Sequence, residues 1–410
     1  MAFEIRTINL RMLDWIALGA VLLLVAAGLL SIYSATHNAE IFIKFQKQVF
    51  WSILGILLLV LVLLAPPRFY HYIAYPAYAL SLLLLLLVLL LGKTIAGNAG
   101  WFGIGGYGIQ PSEFAKLTTI LALGRFLSDS TTSMRSFGDL GKAIGIVGVP
   151  WLLILLQPDF GTGLVYWAFF LAMIFWAGAE MVLLLTLLSP VIVAVLSIIG
   201  IWYFLAAAFL VSILFYLIRR NLGIALMFLA LNLSIGFGVQ YMYSHLPEYQ
   251  KNRIAVFIDP TEAPLAAGYN VIQSKVAIGS GGMTGKGYLQ GSQTQLRFVP
   301  EQWTDFIFCV PAEEFGFIGA MGILLLFAIL LLRGLRMARV LEFRFSSLTA
   351  IGITTMFLFH VFINVGMTQG LLPVVGIPLP FMSYGGSFFL TSLVAVGILQ
   401  HSWASRDEFS

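Results

Sequence analysis

From Leu82 to Leu91 the chain is nine leucines and one valine, and the twenty residues from 73 to 92 contain no charge. A helix rises about 1.5 Å per residue, so roughly 20 apolar residues cross a hydrocarbon core of about 30 Å. In that medium every backbone N–H and C=O must find its partner within the segment, which a helix provides and a loop does not. Eleven more segments meet or approach this length, giving spans near 15 to 34, 49 to 65, 73 to 92, 112 to 127, 143 to 157, 161 to 178, 181 to 200, 202 to 218, 222 to 244, 313 to 332, 347 to 365 and 381 to 402. The expected fold is all-α, a polytopic integral membrane protein of about 12 transmembrane helices. Only 10% of residues are charged and 60% are hydrophobic, against roughly one quarter charged in soluble domains, so an ordinary cytosolic protein is excluded.

Charge placement sets an orientation. The net charge is +4, but the basic residues are scattered between apolar runs and form no stripe or tail, so nucleic acid is not an expected partner. The first span follows Arg6 and Arg11, is too long for a signal peptide and precedes many others; it reads as a retained helix. With both termini in the cytoplasm, Arg68, Arg125, Arg135, Lys142, Arg219, Arg220, Arg333, Arg336, Arg339, Arg344 and Arg406 fall inside. The short outer loops hold only Lys44, Lys47 and Lys93. That asymmetry satisfies the positive-inside rule.

The chain reads as one membrane domain, 1–410, containing a large outer loop, 245–312. The loop balances Lys251, Arg253, Lys275, Lys286 and Arg297 against Glu248, Asp259, Glu262, Glu301 and Asp305. It is too rich in apolar residues for a disordered tether and is expected to fold onto the membrane surface. The single cysteine, Cys309, excludes an internal disulfide and a thiolate metal cage. The histidines, His37, His71, His245, His360 and His401, are far apart in sequence, and no His-Glu-x-x-His occurs, so a histidine metal site is not expected.

Several polar stretches interrupt the apolar pattern. In Gln110-Pro111-Ser112-Glu113-Phe114-Ala115-Lys116, the proline and carboxylate suit a helix start. Lys116 lies three residues from Glu113 on the same helix face, where a charge sunk in hydrocarbon needs a partner; the pair is either functional in a polar cavity or structural. Asp159, in Gln157-Pro158-Asp159-Phe160-Gly161-Thr162, either caps the sixth span or belongs to a site. Asp305, in Pro300-Glu301-Gln302-Trp303-Thr304-Asp305-Phe306, sits just before the tenth span, where desolvation raises a carboxyl pKa and a neighbouring cation lowers it. The run from Gly279 to Gly287 is either a surface turn or a backbone nest for a lipid pyrophosphate; it lacks the glycine and hydroxyl spacing of a nucleotide loop. The segment from Asn364 to Ser387, with Pro373, Pro378 and Pro380, implies irregular backbone lining a cavity open to the outer side.

Four of these stretches, Gln110–Lys116, Gln157–Thr162, Pro300–Phe306 and Asn364–Ser387, together with Gly268 to Gly281, resemble the shape, elongation, division and sporulation (SEDS) family along nearly the whole chain, with the wording of Gly376 to Pro380 and Gln273 to Lys275 closest to its RodA-like branch. The resemblance implies a peptidoglycan glycosyltransferase of the bacterial cytoplasmic membrane that polymerises lipid II on the outer side. It also implies a class B penicillin-binding protein as partner, within the elongation machinery. The family's catalytic aspartate corresponds to Asp305, its helix-four glutamate and lysine to Glu113 and Lys116, and its turn aspartate to Asp159. The chain departs from the pattern in three ways. An additional helical pair within 181–244 joins the usual ten spans, Trp303 stands where histidine is common, and Gly100 stands where arginine is common.

The implied reaction is attack of a sugar C4 hydroxyl on the anomeric carbon of a sugar bound to undecaprenyl pyrophosphate, giving a β-1,4 bond with inversion. The hydroxyl needs a base and the pyrophosphate needs cations, so Asp305 is the candidate base and Lys116 the candidate cation, held by Glu113, with Lys275 and Arg253 behind it. Asp159, Trp303 and Ser383 complete the candidate substrate contacts. Asp305 could instead hold a divalent cation, Mg or Mn, against the pyrophosphate. The rival function is a lipid II flippase, since intramembrane charges also mark transport paths; the candidate residues cluster on one face, whereas a flippase needs access from both.

Overall fold

The structure is a computed structural model describing residues 10–37, 40–95, 98–104, 107–134, 136–245 and 267–408. Its helices are α1 (Trp15–Thr36), α2 (Ile43–Leu63), α3 (Phe69–Leu91), α4 (Pro111–Ser128), α5 (Phe137–Leu155), α6 (Phe160–Trp176), α7 (Met181–Ile199), α8 (Ile201–Arg219) and α9 (Leu222–Ser244). After the large connection come α10 (Ala267–Ser280), α11 (Ser292–Gln295), α12 (Cys309–Glu314), α13 (Gly316–Val340), α14 (Arg344–Thr368) and α15 (Gly386–Ala404).

Among the described residues ten helices are long and apolar enough to cross a membrane: α1, α2, α3, α5, α7, α8, α9, α13, α14 and α15. Two of the twelve expected spans miss that standard, for different reasons. Helix α6 has only 17 residues, and α4 places Ser112, Glu113, Lys116, Thr118, Thr119 and Arg125 within 18 residues. Helix α4 is nevertheless buried along most of its length, packed by α3, α6, α14 and α15. Its groups Ser112, Glu113, Lys116 and Thr119 therefore face protein, and Glu113 and Lys116 pair with each other. Helices α14 and α15 are likewise mostly buried, while outer helices turn residues such as Leu57, Leu61, Leu90 and Leu91 outward.

Side-chain clips fix the ends. Asp14 caps α1 by accepting from Ala17 N at 3.0 Å, pairs with Arg333 of α13 at 2.6 Å, and exchanges backbone bonds with the Gln400 amide of α15 at 2.9 and 3.0 Å. This one residue ties three helices together at one end of the bundle.

The all-α expectation needs one correction. Strands β1 (Lys93–Ile95), β2 (Asn98–Ile104) and β3 (Tyr107–Ile109) form a three-stranded antiparallel sheet between α3 and α4. The register pairs Phe102 with Ile109 and Gly103 with Gly108. Aromatic and β-branched residues among the glycines favour strands, but the segment is too short to stand out against the long apolar runs on either side.

The region 181–244, where an additional pair is expected beside one of the usual spans, holds three helices. Helices α7, α8 and α9 pack on one another around their own small core of Val193, Phe204 and Ala208, and the group follows α6 into the bundle through α7. The described part of the large loop is tied to the helix bundle. Ser274 Oγ donates to Thr368 O at 2.7 Å and Gln295 Nε2 to Ser34 Oγ at 3.1 Å, which seats the loop on the ends of α1 and α14.

Candidate active site

At that end of the bundle the irregular segment 369–385 turns inward against α1. A β-carbon at Gly28 would overlap the backbone of Phe381 and Met382, so only glycine permits this approach. The inserted segment and the neighbouring end of α14 then grip the loop bearing Asp305 by three successive carbonyls. Tyr384 N donates to Trp303 O at 2.8 Å, Ser383 Oγ to Thr304 O at 2.7 Å, and Asn364 Nδ2 to Asp305 O at 2.8 Å. The same Asn364 amide donates to Ile377 O at 2.8 Å.

The Asp305 carboxylate lies beside Gly376, whose φ of +71° is a left-handed conformation natural to glycine. Its pKa is pushed up to about 6, chiefly by burial, with the negative charges of Glu301 and Asp159 adding to the effect. Lys44 of α2 stands with Nζ 3.7 Å from the centre of the Trp303 ring, a cation–π contact that brings a half-buried ammonium to within two residues of Asp305.

The second cluster is built on α4. Lys116 Nζ pairs with Glu113 Oε2 at 2.8 Å and meets His360 Nε2 at 3.2 Å, while His360 Nδ1 meets Pro378 O at 3.1 Å. Gln110 Nε2 donates to Asp159 Oδ2 at 2.9 Å, and Asp159 Oδ1 caps α6 by accepting from Thr162 N at 3.0 Å. Asp159 thus caps α6 and also clips it to the start of α4.

Lys116 is only 1% exposed, and its ammonium pairs with Glu113 and meets His360. Ser383 is buried, and its hydroxyl accepts from Leu379 N at 2.8 Å while donating to Thr304 O; it shapes the loop, with its donor already used. Lys275 is exposed and packs its alkyl chain on Gly370, where the inserted segment begins. Arg253 lies outside the described residues. Among the described residues no group of three or more His, Cys, Asp and Glu comes together to hold a metal ion.

The glycine run resolves as a structural turn. Lys286 N and Gly287 N donate to Glu313 O and Glu314 O at 3.1 and 3.0 Å, and Phe317 N returns a bond to Gly282 O at 2.8 Å. These amides hold the start of α13 and are not free to cradle phosphate. Buried Glu313 secures the same turn by accepting from Lys286 Nζ at 2.8 Å and Thr294 N at 2.9 Å; despite burial, these and neighbouring bonds keep its pKa below the usual range.

Sequence reasoning missed His360, Asn364 and Lys44. The available signal was a polar pair, His360 and Asn364, four residues apart inside an apolar span, where polar side chains ordinarily need a partner.

The family described as cell cycle protein, FtsW/RodA/SpoVE, matches residues 7–211 and 204–407. The chain is 35% identical over 419 residues to the peptidoglycan glycosyltransferase RodA of Treponema pallidum (strain Nichols), covering 94% of this chain and 96% of that one. It is 33% identical over 401 residues to the peptidoglycan glycosyltransferase MrdB of Escherichia coli (strain K12), covering 97% and 96%. Its fold resembles a chain of a peptidoglycan synthase complex solved to explain how polymerization and crosslinking are coordinated, with TM-score 0.72, 31% identity, and coverage of 95% and 97%.

Proposed function

This chain belongs to the FtsW/RodA/SpoVE family of cell cycle proteins, and on that premise we propose that it is a peptidoglycan glycosyltransferase of the RodA type. It is an integral membrane protein that polymerises lipid II into β-1,4-linked glycan strands during cell elongation. The observation that carries the reading at the level of chemistry is the suspension of Asp305: three successive carbonyls are clamped, and the carboxyl pKa is raised to about 6. A base of that pKa is largely ionised at neutral pH yet has gained proton affinity over a free aspartate.

In the proposed reaction Asp305 takes the proton from the acceptor's C4 hydroxyl as its oxygen bonds to the donor's anomeric carbon. The bond from that carbon to the pyrophosphate breaks with inversion. Neutralising the departing pyrophosphate falls to the accessible cations, Lys44 at Trp303 and Lys275 at Gly370, because Lys116 is already balanced by Glu113. Glu113, Lys116 and Asp159 organise the wall of the site. A divalent cation between Asp305 and the pyrophosphate is a second reading of the same carboxylate, and dependence on added Mg or Mn tests it.

We place the protein in the bacterial cytoplasmic membrane with twelve crossings, α4 and α6 included, both termini cytoplasmic and Asp305 outside; the distribution of arginines supports this orientation. The proposed partner is a class B penicillin-binding protein, supported by the likeness to a chain of a synthase complex, with other elongation-machinery membrane proteins around it. Purified protein mixed with lipid II in detergent tests the function, because no bilayer remains to be crossed. Glycan chains on a gel support the polymerase, whereas their absence together with lipid II translocation in vesicles favours a flippase.

A further inference from the structure

The two clusters of the site converge on one peptide. His360 and Asn364 are four residues apart on α14 and so project from one face, and they bind consecutive carbonyls, Pro378 O at 3.1 Å and Ile377 O at 2.8 Å. Beyond that peptide they part: His360 meets Lys116, and Asn364 holds the backbone of Asp305. We propose that His360 and Asn364 are positioning residues that lock the Lys116 side and the Asp305 side of the site to the peptide Ile377-Pro378, and so set the placement of the catalytic carboxylate. The inference rests on the polymerase reading given above.

Hydrogen-bond chemistry makes the lock directional. A backbone carbonyl only accepts, so the His360 proton sits on Nδ1 and points to Pro378 O; the neutral ring then offers a lone pair at Nε2, and Lys116, which only donates, fills it. The ring is held in one tautomer and one orientation. Asn364 spends its amide hydrogens on two carbonyls from different segments, Asp305 O and Ile377 O, while its Oδ1 has no partner among the described residues. Both side chains are essentially sealed from solvent, so neither is placed to meet a substrate directly. Their effect passes through what they hold, and a displacement of about 1 Å at reacting atoms can cost about 100-fold in rate.

Two near-isosteric variants separate the halves of the histidine's role. His360→Gln carries an acceptor out to the Nε2 position but lacks the Nδ1 donor, whereas His360→Asn keeps a donor at the Nδ1 position and falls short of Lys116. In the full-length purified protein, each is expected to lower kcat at least tenfold, with the KM for lipid II within threefold of wild type and the folded fraction unchanged. Asn364→Asp, which turns both donors into acceptors facing carbonyls, is expected to show the same split. Wild-type kcat in both histidine variants overturns the proposal. So does a loss that disappears once turnover is corrected for folded protein, or a failure of both variants to fold, since either makes the role purely structural. Wild type and Asp305→Ala run alongside. If wild type makes no glycan, the polymerase reading fails and takes this inference with it; if wild type is active and the variants match it, the inference alone fails.

Discussion

Lys116 and Glu113 form a 2.8 Å ion pair inside α4, with side chains only 1% and 5% exposed. Both charges are removed from solvent together, so neither is tolerable without the other. Losing one partner of a buried pair typically costs about 3 to 5 kcal/mol, while replacing both can be nearly neutral. Lys116→Met and Glu113→Gln are therefore expected to lower the melting temperature singly, and the double variant to recover most of the loss. Polymerisation should stay low in the double variant, because no donor remains for His360. Full turnover by the double variant in a gel assay would show that the pair serves stability alone.

Asp305→Ala and Asp305→Asn are expected to reduce glycan synthesis by about 100- to 10,000-fold, the usual worth of a general base. Membrane insertion and folding should be preserved, since the clamp binds the Asp305 carbonyl and leaves the carboxylate out. Activity within threefold of wild type would remove Asp305 from the mechanism. Partial activity of Asp305→Glu that rises with added Mg or Mn would favour metal binding over base catalysis.

The pH profile carries the sign of the shift. A base must be ionised, so kcat/KM should fall about tenfold per pH unit below about 6, the raised pKa of Asp305. Glu301→Gln removes a negative charge that helps raise it, so the acid limb should move to lower pH. For stability the sense is opposite to that of a salt-bridged aspartate. A raised folded pKa means that the stabilising protonated form is lost as pH rises from about 4 through about 6. Asp305→Asn should then melt higher than wild type above pH 6 and alike near pH 4. An acid limb that ignores Glu301→Gln would contradict the electrostatic account.

Phe204 fills the small core between α7, α8 and α9, with its ring directly against Gly236. Phe204→Ala is expected to cost about 3 kcal/mol or more locally, seen as faster amide exchange in these three helices. Turnover per folded molecule should stay within twofold, because the Asp305 clamp and the Lys116 cluster lie on other elements. Abolished turnover with intact exchange protection in α14 would tie the three-helix group to catalysis.

The span pattern was legible in the sequence because a membrane helix satisfies its backbone within itself: length and hydropathy near 73 to 92 suffice to draw α3, and the same holds for most other spans. Motif residues such as Glu113 and Lys116 could be paired on paper for the same reason, since three residues on a helix fix their spacing. Helix α4 was the marginal case, its polarity making sense only once α3, α6, α14 and α15 surround it. The short sheet at 93–109 also went unseen, because strand pairing joins segments whose alternation is too brief to register.

Which groups meet was decided only in three dimensions. His360 lies 244 residues from Lys116, and Asn364 is 59 from Asp305; no periodicity relates such positions, because the contacts follow from how α4 and α14 pack. Tertiary burial also changed the reading of chemistry. It sealed Lys116 against Glu113, spent the Ser383 hydroxyl on Thr304 and Leu379, and committed the glycine-run amides to the start of α13. Sequence names donors, acceptors and charges. Their availability depends on desolvation and on partners brought in from distant segments, and only the folded arrangement determines both.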